Sequence, residues 1–217
     1  NLINLIEYYS LVNANLILSN KPLKRTSSSQ NMSFSGSKSE KLEKLKNSIK
    51  TIKNCELKKN AKNLVFGDGN INSNIMLIGE GPGANEDAEG KPFVGRAGKL
   101  LNKMLEAIQL DRKKVYISNV VNYRPPENRK PTEIEIKRYL PYLKNHIEII
   151  SPKILILLGS TALGALIGNE IVISKARGKW IQKEIGKIKP WIIASFHPAF
   201  LMRQPEQKKL AWIDLKM

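Results

Sequence analysis

The residues best placed to do chemistry in this chain follow short apolar runs. Ile75-Met76-Leu77-Ile78 leads into Gly79-Glu80-Gly81-Pro82-Gly83-Ala84-Asn85-Glu86-Asp87, then Gly90-Lys91-Pro92-Phe93-Val94-Gly95-Arg96-Ala97-Gly98. A glycine-rich turn after a strand can cradle a dinucleotide, but that chemistry needs a third glycine where Glu86 stands. The Lys-Ser/Thr pair of a P-loop is also missing. A carboxylate repels a pyrophosphate, so the turn reads as a sharp structural corner or as part of a different site. Asn119 follows Val115-Tyr116-Ile117, and His197 follows Trp191-Ile192-Ile193-Ala194. Taken singly, an Asn at a strand end is usually a turn former and a His there a satisfied polar residue. Taken together, Glu86, Phe93, Asn119 and His197 would project into one crevice if their strands share a sheet.

That condition is set by the elements. The runs 75–78, 115–117, 154–158 and 191–194 are apolar without alternation, the texture of strands buried on both faces. Helix-length segments near 96–110, 132–150, 160–168 and 206–216 separate or follow them, and strands alternating with helices predict a parallel sheet covered by helices. The expected fold is a three-layer α/β/α sandwich with a central, mainly parallel four-stranded sheet over residues 47–217. Ligands of such sheets bind beyond the carboxyl ends of the strands, where the residues above fall. Residues 1–19 can be written as an amphipathic helix. Asn20 to Lys46, rich in serine and lysine, reads as a flexible basic linker.

With 36 Lys and Arg against 19 Asp and Glu, the chain carries a formal charge of +17, which points to a polyanionic partner and first to nucleic acid. No apolar run reaches the roughly 18–20 residues of a membrane-spanning helix, so no membrane partner is expected. Cys55 is the single cysteine, which rules out an intramolecular disulfide and an all-protein cysteine-rich metal site. A reducing, cytoplasmic setting is expected, and no signal peptide is read in residues 1–19.

Gly79-Glu80-Gly81-Pro82-Gly83, Glu86-Asp87, Gly90-x-Pro92-Phe93-Val94-Gly95-x-Ala97-Gly98, Asn119-Val120-Val121, Arg124-Pro125-Pro126-x-Asn128-Arg129, Arg177-Gly178-Lys179-Trp180 and His197-Pro198-Ala199 together resemble the family 4 uracil-DNA glycosylases. The resemblance runs over roughly residues 55–217, in the family's order. It implies hydrolysis of the N-glycosidic bond of deoxyuridine in DNA, the first step of base-excision repair, by a monomer. It also implies a uracil pocket built from Gly79, Gly81, Phe93, Asn119 and His197. In that pocket Phe93 offers an aromatic face, Asn119 reads the N3–H and O4 of the base, and His197 donates to O2 as uracil leaves. In the best-known branch of the superfamily an Asp stands two residues after the motif's opening glycine, where this chain has Gly81. Another carboxylate must then orient water. Glu86 is the first choice, with Glu80 and Asp87 behind it as helix-capping alternatives. Leu201 or Met202 is expected to wedge into the space left by the flipped base. Arg96, Lys99, Arg124, Arg129 and Arg203 are candidates for phosphate contacts.

The chain departs from that family in one respect. Four cysteines that hold a 4Fe-4S cluster fall on Cys55, Lys58, Tyr123 and Tyr139, so the expected cofactor set is empty and the two tyrosine rings are expected to fill the volume. Two other readings stay open from the sequence: a non-catalytic DNA-binding relic of the same family, and a nucleotide-binding protein using the glycine turn.

Overall fold

The computed structural model describes residues 34–217; the helix expected over 1–19 lies outside the described residues, as do residues 20–33 of the expected linker. The described elements begin with helices α1 (Lys38–Lys50) and α2 (Glu56–Asn60), strands β1 (Asp68–Gly69) and β2 (Ile75–Gly79), and helices α3 (Ala84–Glu89) and α4 (Arg96–Glu106). Then come β3 (Tyr116–Asn119), α5 (Glu133–Ile150), β4 (Ile154–Leu158), α6 (Ser160–Leu166), α7 (Ile173–Ala176), β5 (Trp180–Gln182), β6 (Trp191–Ser195), α8 (Pro198–Arg203) and α9 (Lys208–Leu215).

The sheet has six strands in the order β1-β3-β2-β4-β6-β5, not the four expected. The four apolar runs form its parallel centre, β3-β2-β4-β6. The additions are short antiparallel edges, β1 on β3 and β5 on β6. Two-residue Asp68-Gly69 has the composition of a turn, and Trp180–Gln182 leaves Ile181 and Gln182 exposed, so neither carries the signal of a buried strand.

Alternation along the central strands builds the three layers. Met76, Ile78, Leu155, Leu157 and Ile192 pack with α1, α5 and α6 on one face, whereas Leu77, Ile117, Ile156, Leu158 and Ile193 pack with Leu101 and Leu105 of α4 on the other. Successive side chains of a strand point to opposite faces, which is why unbroken apolar runs were required. A third cluster, Phe196, Leu201 and Ala211, joins α8 and α9 to Leu100 and Met104 of α4.

Residues 38–46 are not linker. Ser37 caps α1 by accepting from the Glu40 backbone N–H at 3.3 Å while the Glu40 carboxylate takes the Ser37 N–H at 2.8 Å. Leu42, Leu45 and Ile49 then fall on one buried face, and α1 packs against α5. The domain therefore starts ahead of the boundary expected at residue 47. Leu45→Ala should destabilise the domain by about 2–5 kcal/mol, the cost of a leucine-sized hole in a core. Urea unfolding measures this, and an unchanged midpoint would return the segment to linker status.

Candidate active site

Parallel register brings the strand ends level. Gly79 pairs with Asn119 and Leu158 with Ser195, so the residues that follow them open onto one edge of the sheet. There a cavity of about 170 Å³ is lined by Glu80, Glu86, Phe93, Asn119, Asn128 and His197, among others. It is smaller than the roughly 300–1,000 Å³ of sites for drug-sized ligands, and suits one small ring. A larger open depression of about 630 Å³, lined by Asn102, Glu106, Asp111 and Lys113, lies before β3 in the chain and gathers none of these groups.

Asn119 is 2 % exposed, and its Oδ1 has no hydrogen-bond partner among the described residues. A buried, unpaired acceptor costs the fold the desolvation of a polar atom, on the order of 1–3 kcal/mol, so its persistence at a cavity wall marks a ligand position. Gly79 makes the arrangement possible. A Cβ there would lie 2.5 Å from both Asn119 Oδ1 and the tip of the Phe93 ring. Gly81 is similarly tight, since its Cβ would sit 2.8 Å from Val121 Cγ2.

Phe93 is buried, with its ring centroid 5.5 Å from that of His197 and tilted by 33°. Its φ of 54° is left-handed, an outlier for a bulky L residue. Gly98 on α4 leaves room for this kink, because a Cβ there would lie 1.9 Å from the Phe93 carbonyl oxygen.

His197 is held from three sides. Its Nδ1 accepts from the Ala199 backbone N–H at 3.2 Å, which leaves the proton of the neutral ring on Nε2. Gly159, at φ 91°, passes so close that a Cβ would lie 2.9 Å from His197 Cβ, and its N–H donates to Ser195 O at 2.9 Å. Behind the loop, buried Asp214 of α9 accepts from Ser195 Oγ at 2.7 Å and from Arg177 Nε at 3.0 Å. The Arg177 guanidinium in turn lies 5.5 Å from the centre of the Phe196 ring. Burial pushes the His197 pKa down to about 4, the Arg203 charge adds to the fall, and the Glu86 charge opposes it.

The acidic residues divide differently from the sequence expectation. Glu86, the first choice for orienting water, spends its carboxylate on backbone: Oε2 takes the Gly83 N–H at 3.1 Å, and Oε1 takes those of Val94 and Gly95 at 3.0 and 2.8 Å. It ties the turn after β2 to the turn before α4. Glu80 receives a hydrogen bond from Thr161 Oγ1 and makes no other among the described residues. Asp87 is buried and accepts from the Lys62 and Asn63 backbone N–H groups, which makes it a structural anchor.

One expectation for the DNA face is corrected. His197 is followed by helix α8, and Leu201 on it faces inward at 1 % exposure against Phe196 and Ala211, so it is no wedge. Met202 is half-buried on that helix, and Arg203 and Arg96 are exposed. Arg129 is engaged in a two-point ion pair with Glu135, at 2.8 and 2.7 Å, and so braces the pocket wall. Gly159, Thr161 and Asp214 carried no signal in the sequence, because their roles rest on contacts between distant segments.

The cluster positions do not fit an iron-sulfur group. Cys55 Sγ lies 3.2 Å from the Tyr139 hydroxyl, Tyr123 and Tyr139 are both buried in the core, and Lys58 turns its amine to the Lys50 carbonyl. Burial pushes both phenols upward, so neither is an anionic ligand at neutral pH. Among the described residues no group of three or more His, Cys, Asp or Glu side chains is arranged to hold a metal ion. None of the described helices is long and apolar enough to cross a membrane.

The family model of the uracil DNA glycosylase superfamily matches residues 66–216. The chain is 42% identical over 183 residues to a type-4 uracil-DNA glycosylase of Sulfurisphaera tokodaii, covering 81% of this chain and 82% of that protein. It is 44% identical over 156 residues to the type-4 enzyme of Thermotoga maritima, covering 71% of this chain and 80% of the relative. The corresponding protein of Saccharolobus solfataricus is 41% identical over 180 residues, with 81% and 83% covered. On the family model and these relatives, the chain belongs to the uracil-DNA glycosylase superfamily, in its type-4 branch.

Proposed function

We propose that the protein hydrolyses the bond between C1′ of deoxyribose and N1 of uracil in DNA, initiating base-excision repair, as a cytoplasmic monomer without an iron-sulfur cluster. The observation that carries this reading is the unpaired Oδ1 of buried Asn119 at the wall of a one-ring cavity. A uracil stacked on Phe93 supplies the missing donor through N3–H and an acceptor, O4, for the Asn119 amide NH₂. Cytosine reverses both groups and leaves the acceptor unpaired. The base reaches the pocket only when flipped from the stack, and the chain's +17 formal charge supplies attraction to the phosphates on which that exchange depends. Arg96 and Arg203 are the exposed arginines beside the site assigned to those contacts, with Met202 as the apolar side chain at the strand gap.

Bond cleavage places positive charge on the sugar and negative charge on the base. His197 donates Nε2–H to the developing anion at O2. A neutral imidazole suffices for this, and the Ala199 contact fixes the tautomer that can do it. For the water, Glu80 is the better placed carboxylate, since only Thr161 engages it, whereas Glu86 already accepts three backbone N–H groups. Glu86 acts at one remove, through the shape of the pocket.

Colourless, iron-free protein is expected to release free uracil from a uracil-containing oligonucleotide and nothing from a thymine control. Tight binding without release would favour the non-catalytic relic. Asn119→Asp and Glu80→Gln should each slow single-turnover release on the order of 10²-fold while DNA affinity stays within several-fold, because affinity comes chiefly from phosphates. Full-speed release by either variant removes that residue from the mechanism.

The His197 shift fixes a pH dependence. With its pKa lowered from 6.5 to about 4, the neutral ring, held by Nδ1 accepting from the Ala199 N–H, persists through the range in which an ordinary histidine protonates. The rate profile should therefore show no inflection near 6.5, and its acid limb should lie near 4. Stability carries the opposite cost: the unfolded chain takes up protons near 6.5, while folded His146 and His197 resist until about 3 and 4. Stability due to these groups is thus full above pH 6.5 and is lost as pH falls to about 4 for His197 and about 3 for His146. Urea titrations at several pH values read this directly.

A further inference from the structure

We propose that Arg112, anchored by Asp68 of the edge strand β1, is a positioning residue that sets the Phe93 ring as the platform for the base; the inference rests on the reading of Phe93 as that platform. Arg112 Nη2 donates to the Pro92 carbonyl at 2.7 Å and Nη1 to the Phe93 carbonyl at 3.0 Å. Those oxygens belong to the two peptide planes on either side of the Phe93 Cα. One planar guanidinium therefore fixes both φ and ψ of Phe93, the residue held at φ 54°. The second plane is pinned at its other end too, since the Val94 N–H is taken by Glu86 at 3.0 Å. Arg112 has its own orientation set by Asp68, whose Oδ2 lies 2.8 Å from both Nε and Nη2. Both partners are largely covered, at 23% and 28% side-chain exposure.

A left-handed phenylalanine persists only where its surroundings over-determine it, and such residues gather at ligand clamps. Here the restraint acts on the residue whose ring tip lies against Gly79 and beside Asn119 Oδ1. A lysine cannot replace it. An ammonium is a point donor without the rigid fork that spans two carbonyls. The edge strand gains a purpose from this. Asp68 pairs with Ile117 in the ladder, which fixes the carboxylate relative to the sheet that carries Asn119.

A plain structural ion pair is the competing account, and the test separates the two. Arg112→Lys and Asp68→Asn are made in the full chain and studied well below their measured melting temperatures. His197 lies over Phe93, so its ring-proton NMR shifts report the Phe93 ring current, and with only two histidines in the chain the other set belongs to His146. Arg112→Lys should move the His197 resonances and leave those of His146, which stacks on Phe66, in place. Uracil release in a single turnover should fall on the order of 10²-fold, the scale of a reactant displaced by about 1 Å, with DNA affinity within several-fold. Asp68→Asn should give a smaller change of the same kind. Placed in a Phe93→Ala background, Arg112→Lys should cost no further rate. Unmoved His197 resonances overturn the inference whatever the rate does, as does wild-type release with an additive double variant. If the wild-type chain releases no uracil, the glycosylase reading fails, and the resonances still decide whether Arg112 positions Phe93.

Discussion

The pocket depends on four parallel strands ending at the same level. Because Gly79 sits opposite Asn119 and Leu158 opposite Ser195, the groups that follow β2, β3, β4 and β6 meet at one edge without any long excursion of the chain. A slip of one residue in any pairing would turn the inward side chains of that strand outward and empty the core on both faces. The same burial that stabilises the sheet therefore guarantees the meeting of Asn119 and His197. Glycine does the rest at 79, 98 and 159, where neighbouring groups approach closer than any Cβ allows.

What the sequence made legible follows from how strongly each segment is forced. The four central strands announced themselves because each is sealed on both faces, and the segment of α5 as a helix-length stretch between two of them. The two edge strands stayed hidden because three residues or fewer, facing water on one side, carry no periodicity. Helix α1 was masked by the serines and lysines around it, although Ser37 and Glu40 already stood at the spacing of a capping box. The pocket residues Phe93, Asn119 and His197 were legible as a set. The different surroundings of Glu80 and Glu86 were not, because they turn on which carboxylate meets backbone N–H groups from a turn eight residues away. Leu201 misled for a similar reason: an apolar residue after a site histidine looks like a wedge until Phe196 and Ala211 close over it.

Three of the four residues at the cluster positions, Cys55, Tyr123 and Tyr139, are packed into the core. Cys55 and Tyr139 are joined through sulfur and hydroxyl, and Tyr123 and Tyr139 occupy the hydrophobic core that links α2 to α5. Their contribution is packing, spread over many contacts, where a metal would have supplied a few strong bonds. Cys55, Lys58, Tyr123 and Tyr139 do not themselves line the pocket, although Pro125, Asn128 and Arg129 of the segment after Tyr123 do.

Glu86 reaches from the first turn of α3 across to Val94 and Gly95, and so measures a gap. The gap between the corner after β2 and the corner carrying Phe93 is bridged by one carboxylate, with the Gly83 N–H on Oε2 and the Val94 and Gly95 N–H groups on Oε1. The two corners then travel together, and the opening between them has a built-in gauge. Aspartate, shorter by one methylene, would draw the corners together or leave one side unheld. The width available to an incoming ring is in this sense written into the choice of acid at a single position.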